Sequence, residues 1–186
     1  MSEFSEDTVL VTAARNGDRE AFAHLYRRYA RIVHGVLLAK VPLSDVDDLV
    51  QDVFMIALRH LPKVRKAEKF GAWLAAIARN RGNDYHRRSR PEDQLADDPP
   101  CTHVPSRGDS GDDESAVILE TIRSLPDSYR ETLILRLVEG MTGPEIAART
   151  GMTHGSVRVN LHRGMQQLRE KLSSNQKSSR PEKETL

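Results

Sequence analysis

Hydrogen-bond donors recur at helical spacing near the carboxyl-terminal part of the chain. Within residues 140–164, GMTGPEIAARTGMTHGSVRVNLHRG, the last helical stretch turns a set of donors outward with almost no carboxylate among them: Ser156, Arg158, Asn160, His162 and Arg163. Such side chains bind base edges in the major groove of DNA and the phosphates beside them. The residue types therefore indicate a helix that reads duplex DNA.

The residues before these donors are typical of a helix-turn-helix. A helix is predicted over about residues 127–138, and Thr142 with Glu145 forms a capping box that begins a short second helix. Gly151 then turns the chain, and Thr153 caps the third helix. The apolar residues expected to face inward are Tyr129, Leu133, Ile134, Leu137, Val138, Val157, Leu161 and Leu168. Spacing alone also fits an ordinary helical hairpin.

Helical periodicity also dominates the first half of the chain. Apolar residues recur every three or four positions over 44–62, where Ser44 or Asp45 could cap the start and Pro62 marks the end. The stretches 22–37 and 70–77 repeat the pattern, and no alternating run competes with it. The sequence therefore predicts an all-α fold.

Charge is strongly segregated along the chain, although the whole carries only +1. Residues 63–90 contain nine lysines and arginines and two acids, a net charge of +7. Residues 91–116 contain eight acids and Arg107, a net charge of −7. The basic segment fits either a nucleic-acid surface or solvated helix faces.

The acidic segment is rich in Pro, Gly, Asp and Ser and shows no apolar period, so it is predicted to be a disordered linker. The tail has the same character. The chain accordingly divides into a first module (1–90), a flexible acidic linker (91–116), a second module (117–172) and a disordered tail (173–186). A linker of this length typically spans about 25–30 Å.

The sequence offers no catalytic machinery. It lacks a glycine-rich phosphate loop and a nucleophile elbow, so we expect no enzyme, no catalytic residue and no cofactor. Cys101 and His103 could serve a metal or redox role, but no second pair stands at ligand spacing, and we expect no metal site. The single cysteine, the absence of a signal peptide and the absence of a long apolar run favour the cytoplasm, with no membrane span.

Two stretches carry a resemblance to a known family. SLPDSYRETLILRLVEGMTGPEIAARTGMTHGSVRVNLHRGMQQLRE resembles the fourth conserved region of bacterial sigma-70 transcription initiation factors. DVDDLVQDVFMIALRHL with FGAWLAAIARNRGNDYHRR resembles their second region. Their order and separation are similar to those of the extracytoplasmic-function (ECF) group, and the resemblance covers roughly residues 6–90 and 115–172.

The resemblance implies a sigma factor that binds core RNA polymerase. Its partners would be the clamp helices of the largest subunit and the flap of the second subunit. The residues that match the core-binding helix form a polar face: Asp45, Asp48, Gln51, Asp52 and Met55. Without the resemblance, the same face would be interpreted as an acidic helix start exposed to solvent, where the helix dipole favours negative charge.

The resemblance also implies recognition and melting of the −10 promoter element by the first module. Contacts to the strand backbone are expected from the basic residues Arg65, Lys66, Lys69, Arg79, Arg87 and Arg88. Base contacts are expected from Asn80 and Asn83, and the aromatic residues Phe70 and Trp73 complete the set. Trp73 stands at helical spacing with Phe70 and Ile77, so it is either a core residue or a stacking platform.

In the second module the resemblance implies recognition of the −35 element. The residues that match are Ser156, Arg158, Val159, Asn160, His162 and Arg163. Family members are often held inactive by an anti-sigma protein, so such a partner is expected beside promoter DNA. The alternative is a free-standing helix-turn-helix regulator, in which the first 90 residues would sense a ligand or dimerise.

Overall fold

The computed structural model describes residues 3–89 and 112–178, with side chains over 6–88 and 115–174. Every regular element in these ranges is helical, and the predicted all-α fold is confirmed. The helices are α1 (Glu3–Arg15), α2 (Arg19–Leu38), α3 (Leu43–His60), α4 (Phe70–Ser89), α5 (Asp112–Arg123), α6 (Asp127–Leu137), α7 (Gly143–Thr150) and α8 (His154–Ser178). No helix in the described ranges is long and apolar enough to cross a membrane.

Helix α2 is the centre of the first module, and α1, α3 and α4 pack around it. Its start is fixed by Asp18, whose carboxylate accepts hydrogen bonds from the backbone N–H groups of Glu20 and Ala21 at 2.9 and 3.0 Å. Such caps satisfy donors that the first helical turn leaves without partners. The buried stripe of α2 includes Leu25 and Ile32.

The start of α3 differs from the prediction. The helix begins at Leu43 with Pro42 in the N-cap position, and no side chain caps it. The expectation that Ser44 or Asp45 caps this helix is therefore wrong. Proline suits this place because its fixed φ and missing N–H cost nothing before the first turn.

Two helices extend into segments that were predicted to be disordered. Helix α5 begins at Asp112, inside the predicted linker, and α8 continues to Ser178, inside the predicted tail. Acidic residues favour a helix start through the helix dipole, and no glycine or proline interrupts residues 165–180. The remaining linker and tail residues, with Cys101 and His103, lie outside the described residues.

The two modules pack against each other. Helix α6 lies on α2, and α7 lies on α4. Helix α6 is consequently buried on two sides, with Leu135 inaccessible to solvent. Leu137 and Val138, predicted to face inward, are instead 45% and 51% exposed. The helical period identified one apolar stripe of α6. It did not identify the other side of the helix, which packs on the first module through contacts distant in sequence.

Arginines of the second module cap the end of α2. Arg123 donates to the carbonyl oxygens of Leu38 and Val41 at 3.2 and 2.9 Å, and Arg130 donates to that of Ala39 at 3.2 Å. The last carbonyls of a helix have no partner within it and carry partial negative charge. The guanidinium groups of the second module therefore satisfy backbone acceptors at the end of a helix of the first module.

His34 of α2 makes another contact between the modules. Its Nδ1 lies 2.6 Å from Oε1 of Glu139, which follows α6, and Arg31 Nε lies 3.7 Å from the other oxygen of the same carboxylate. The hydrogen bond to Glu139 raises the pKa of His34 above its ordinary value of 6.5, and the charges of Glu139 and Asp47 act in the same direction. Partial burial opposes the shift without reversing it.

This histidine makes stability depend on pH. A group whose pKa is raised by folding stabilises the fold fully below its unfolded pKa and loses that contribution as pH rises through the folded pKa. We expect the melting temperature to fall from about pH 6 to about pH 8, and to fall less in His34→Gln. Thermal unfolding followed by circular dichroism measures this, and identical pH profiles of the two proteins would contradict it.

Candidate DNA and polymerase interfaces

A capping box begins α7, the first helix of the helix-turn-helix. The backbone N–H of Thr142 donates to the Glu145 carboxylate at 2.7 Å, and the Glu145 N–H donates to the Thr142 hydroxyl at 3.4 Å. The hydrogen bond from the Thr142 backbone lowers the pKa of Glu145, so this carboxylate stays ionised. The predicted capping box is confirmed.

The turn between α7 and α8 also follows the prediction. Gly151 has φ 77°, the left-handed conformation that favours glycine, and ends α7. The Ser156 N–H donates to the Thr153 hydroxyl at 3.1 Å, which caps α8. Val157 and Leu168 are buried beneath the helix. These contacts orient α8 so that its opposite face points into solvent.

The exposed face of α8 carries most of the predicted DNA-contacting residues. Arg158, Val159, His162 and Arg163 are exposed, and Asn160 is half-buried. The Ser156 hydroxyl lies 2.8 Å from that of Thr153, so this side chain also takes part in the cap. Two guanidinium groups and an imidazole on one solvent-facing surface can bind base edges or phosphates.

A second basic surface lies on the first module. Arg65, Lys66 and Lys69 are exposed in the segment that joins α3 to α4. Asn80 is exposed on α4, and at its end lie the exposed residues Arg87 and Arg88. Arg87 is paired with Asp84 at 3.0 Å. The accessible cations and amide are of the kind that hold a single strand.

Phe70 does not belong to this surface. It is inaccessible to solvent, and its ring centroid lies 5.4 Å from that of Tyr29 and 5.6 Å from that of Trp73. The prediction that Phe70 contacts DNA is therefore wrong, since the ring is a core residue. Phe70 begins α4 and packs against α2, so it belongs to the apolar stripe that the helical period identifies.

Trp73 packs against the core on one side and borders a cavity on the other. It is half-buried against Phe70, and it also lines a cavity of about 220 Å³ between α3 and α4. The other residues that line it are Ile56, His60, Lys63, Val64 and Ile77. Apolar walls with a cation beside them suit a flat aromatic group such as a nucleobase.

Two predicted DNA contacts are engaged within the chain. The Arg79 guanidinium donates through Nε and Nη2 to the two carboxylate oxygens of Glu131 on α6, at 2.9 and 2.8 Å. This carboxylate raises the pKa of Arg79 further. The Asn83 side chain accepts a hydrogen bond from Lys40 at 2.9 Å. Arg79 is half-buried by this contact, whereas Asn83 remains exposed.

The acidic face of α3 is partly used inside the first module. Asp48, Gln51 and Met55 are exposed. Asp45, by contrast, accepts a hydrogen bond from the Tyr85 hydroxyl at 2.7 Å, and Asp52 forms an ion pair with Arg81. These two carboxylates tie α3 to α4, although the Asp52 side chain remains 53% exposed.

Glu131 and Glu139 were missed by sequence reasoning, as were Arg123 and Arg130. A signal for the two acids was present, because Glu131, Leu135 and Glu139 lie four residues apart and share one face of the α6 region. That stripe lies on the opposite side of α6 from the predicted apolar stripe of Leu133, Ile134 and Leu137, and it packs on the first module.

Comparison with known proteins gives the family. Residues 25–92 match the model of Sigma-70 region 2, and residues 115–168 match that of Sigma-70, region 4. The ECF RNA polymerase sigma-E factor of Haemophilus influenzae is 30% identical over 92% of this chain and 98% of its own. That of Escherichia coli K12 is 31% identical over 92% and 97%. RNA polymerase sigma factor CarQ of Myxococcus xanthus is 32% identical over 85% and 92%.

A solved structure agrees with these relatives. The structure of CnrH in complex with the cytosolic domain of CnrY superposes with a TM-score of 0.64 at 27% identity, covering 91% of this chain and 98% of that chain. The alignment is long enough to include both modules. Two family models in the expected order, together with relatives matched over nearly their whole length, lead to one assignment: the chain belongs to the ECF group of sigma-70 RNA polymerase sigma factors.

Proposed function

We propose that this chain binds core RNA polymerase and directs transcription initiation at promoters with −35 and −10 elements. The observation that carries the proposal is the exposed donor face of α8, which the capped helix-turn-helix holds away from its own core. Arg158 and Arg163 would bind base edges or phosphates of the upstream duplex. Bond-making chemistry belongs to the polymerase, and the chain contributes recognition.

The first module would bind and open the downstream element. Arg65, Lys66 and Lys69 would hold the backbone of the displaced strand, and Asn80 would contact a base. The cavity beside Trp73 would receive a base pulled out of the stack, because stacking and apolar contact repay the cost of unstacking. Arg79 and Asn83 would join once released from Glu131 and Lys40.

Core polymerase would dock on α3. The accessible part of its acidic face is centred on Asp48 and Gln51, with Met55 as an apolar contact. Basic residues on the clamp helices would complement the carboxylate, which mainly steers association and fixes the register. Asp45 and Asp52 support this surface by fastening α3 to α4. The second module would meet the flap of the second subunit.

An anti-sigma protein is the proposed inhibitor. The structural neighbour CnrH is in complex with the cytosolic domain of CnrY, and its fold matches this chain over both modules. The alternative of a free-standing regulator is disfavoured, because the first module matches a sigma region rather than a sensor domain. The polymerase partner would place the activity in the cytoplasm.

The docking face is tested by reversing one charge. Asp48→Lys should weaken binding to labelled core polymerase about tenfold or more, because a cation would face the basic clamp helices. The change should leave the melting temperature nearly unaltered, since Asp48 is exposed. Glu170→Lys on α8 is the charge-matched control. If the two variants bind core polymerase with equal affinity, this face of α3 is not the docking site.

Division of labour between the modules is tested by transcription with sigma-free core enzyme on a promoter selected from a random library. The double variant Arg158→Ala with Arg163→Ala should lose about 1–3 kcal/mol of binding to the −35 element per lost base contact, whether the −10 element is duplex or mismatched. Asn80→Ala should fail on duplex and recover when the −10 element is mismatched. Arg169→Ala is the control.

No promoter-dependent transcript from the unmodified protein would refute the proposed function. If pre-melting restores transcription by the arginine variants but not by Asn80→Ala, the assignment is reversed, and the second module rather than the first is the one needed for opening the DNA.

A further inference from the structure

We propose that Val159 selects a thymine in the upstream promoter element, by apolar contact with the 5-methyl group that thymine displays in the major groove. This inference rests on the proposed role of α8 in binding that element. It adds the identity of one base that the helix distinguishes and the side chain that distinguishes it.

Val159 lies at the centre of the exposed face of α8. One side of this helix packs on the rest of the module through Val157, Gly164 and Leu168, which are buried. At about 100° per residue, Val159 lies about 160° around the helix from the mean direction of these three. Its side chain is 45% exposed. A duplex that approaches this face therefore meets Val159 at the middle of the contact.

The fold itself gives this valine no packing role. Its neighbours on the helix surface, three and four residues away, are Gly155, Ser156, His162 and Arg163, and none of them is an apolar side chain. Among the described residues, Val159 belongs neither to the hydrophobic core nor to the side chains packed against it. A β-branched residue is also a poorer helix former than alanine. Neither packing nor helix propensity therefore accounts for a valine surrounded by polar side chains.

Gly155 leaves a recess beside Val159. A Cβ at Gly155 would have only the Thr153 hydroxyl oxygen within 4 Å, at 3.9 Å, so no neighbouring atom of the described residues requires a glycine there. Helical side chains lean toward the amino-terminal turn, so Val159 lies over the turn that contains Gly155. Glycine is unfavourable within a helix, and close approach of another molecule is one reason to have it. The two residues together form a shallow apolar surface with room for a methyl group.

Thymine is the base whose chemistry fits this surface. Its 5-methyl group is the apolar group that distinguishes it in the major groove. Cytosine lacks this methyl group, and the purines present polar atoms that valine would cover without offering a hydrogen bond. Burial of one methyl group changes affinity about fourfold. The contact is therefore large enough to select one base.

The donors around Val159 position the helix on the duplex. Arg158, His162 and Arg163 are exposed, and such side chains bind phosphates or base edges on either side of the centre. Phosphate contacts fix the register of a helix but carry no sequence information directly. The apolar centre thus adds a distinction between bases that contacts to phosphate do not make.

Deoxyuridine tests the methyl contact directly, because it pairs as thymine does and lacks only the methyl group. The probe is a labelled promoter selected from a random library with this chain and core polymerase, in which each thymine of the upstream element is replaced singly by deoxyuridine. At one position the replacement should weaken binding of the chain with core polymerase about fourfold. At that position a 5-methylcytosine·guanine pair should bind more tightly than a cytosine·guanine pair.

Variants of the chain identify the side chain that contacts the methyl group. Val159→Ala should bind the thymine promoter about as weakly as the unmodified chain binds the uracil promoter, and uracil should cause no further loss. Gly155→Ala would place a methyl group in the recess and should also bind the two promoters alike. Val117→Ala on α5, where the valine is 43% exposed, is the matched control and should keep the fourfold difference. Circular dichroism verifies folding, and Gly155→Ala decides alone if Val159→Ala loses helicity.

Three results would overturn the selection of thymine by Val159. They are an upstream element without thymine, thymines that deoxyuridine replaces without loss, and a uracil effect in Val159→Ala equal to that in the unmodified chain. Each of them leaves the proposed function standing, because a promoter has then been recovered with the chain and core polymerase. If the library gives no promoter, the proposed function fails, and the selection of thymine fails with it.

Discussion

The structure depends on the double burial of α6. One side of this helix, with Leu133 and Ile134, completes the core of its own module, and the side that carries Glu131 and Leu135 packs on the first module. Acids buried at such a face would be costly without cationic partners. Arg79 supplies the partner for Glu131, so the position of α6 and the accessibility of α4 are set by the same contact.

The interface between the modules combines the apolar contact of Leu135 with ion pairs and backbone caps. Ion pairs and backbone caps can be replaced by water, phosphate or another protein, so a contact that includes them is more easily exchanged than a large apolar one. Arg123 caps the end of α2 only while the modules are joined.

Local rules predicted the parts of the site that are built locally. Thr142, Gly151 and Thr153 lie within a few residues of what they cap or turn, and each adopts the expected role. The burial of Phe70 and the ion pair of Arg79 were not foreseen, because their partners lie far along the chain, 41 residues away at Tyr29 and 52 residues away at Glu131. The spacing of apolar residues within one helix shows which face of that helix is buried. It does not show which distant residue covers that face.

The most direct measurement is the distance between the modules, determined by pulsed electron resonance with one spin label on α3 and one on α8. The account predicts a narrow, short distribution in the free chain. With core polymerase on promoter DNA, the distribution should lengthen to a separation consistent with elements at least about 34–36 Å apart. The same distribution in both states would contradict the proposal that the two modules bind the two promoter elements at the same time.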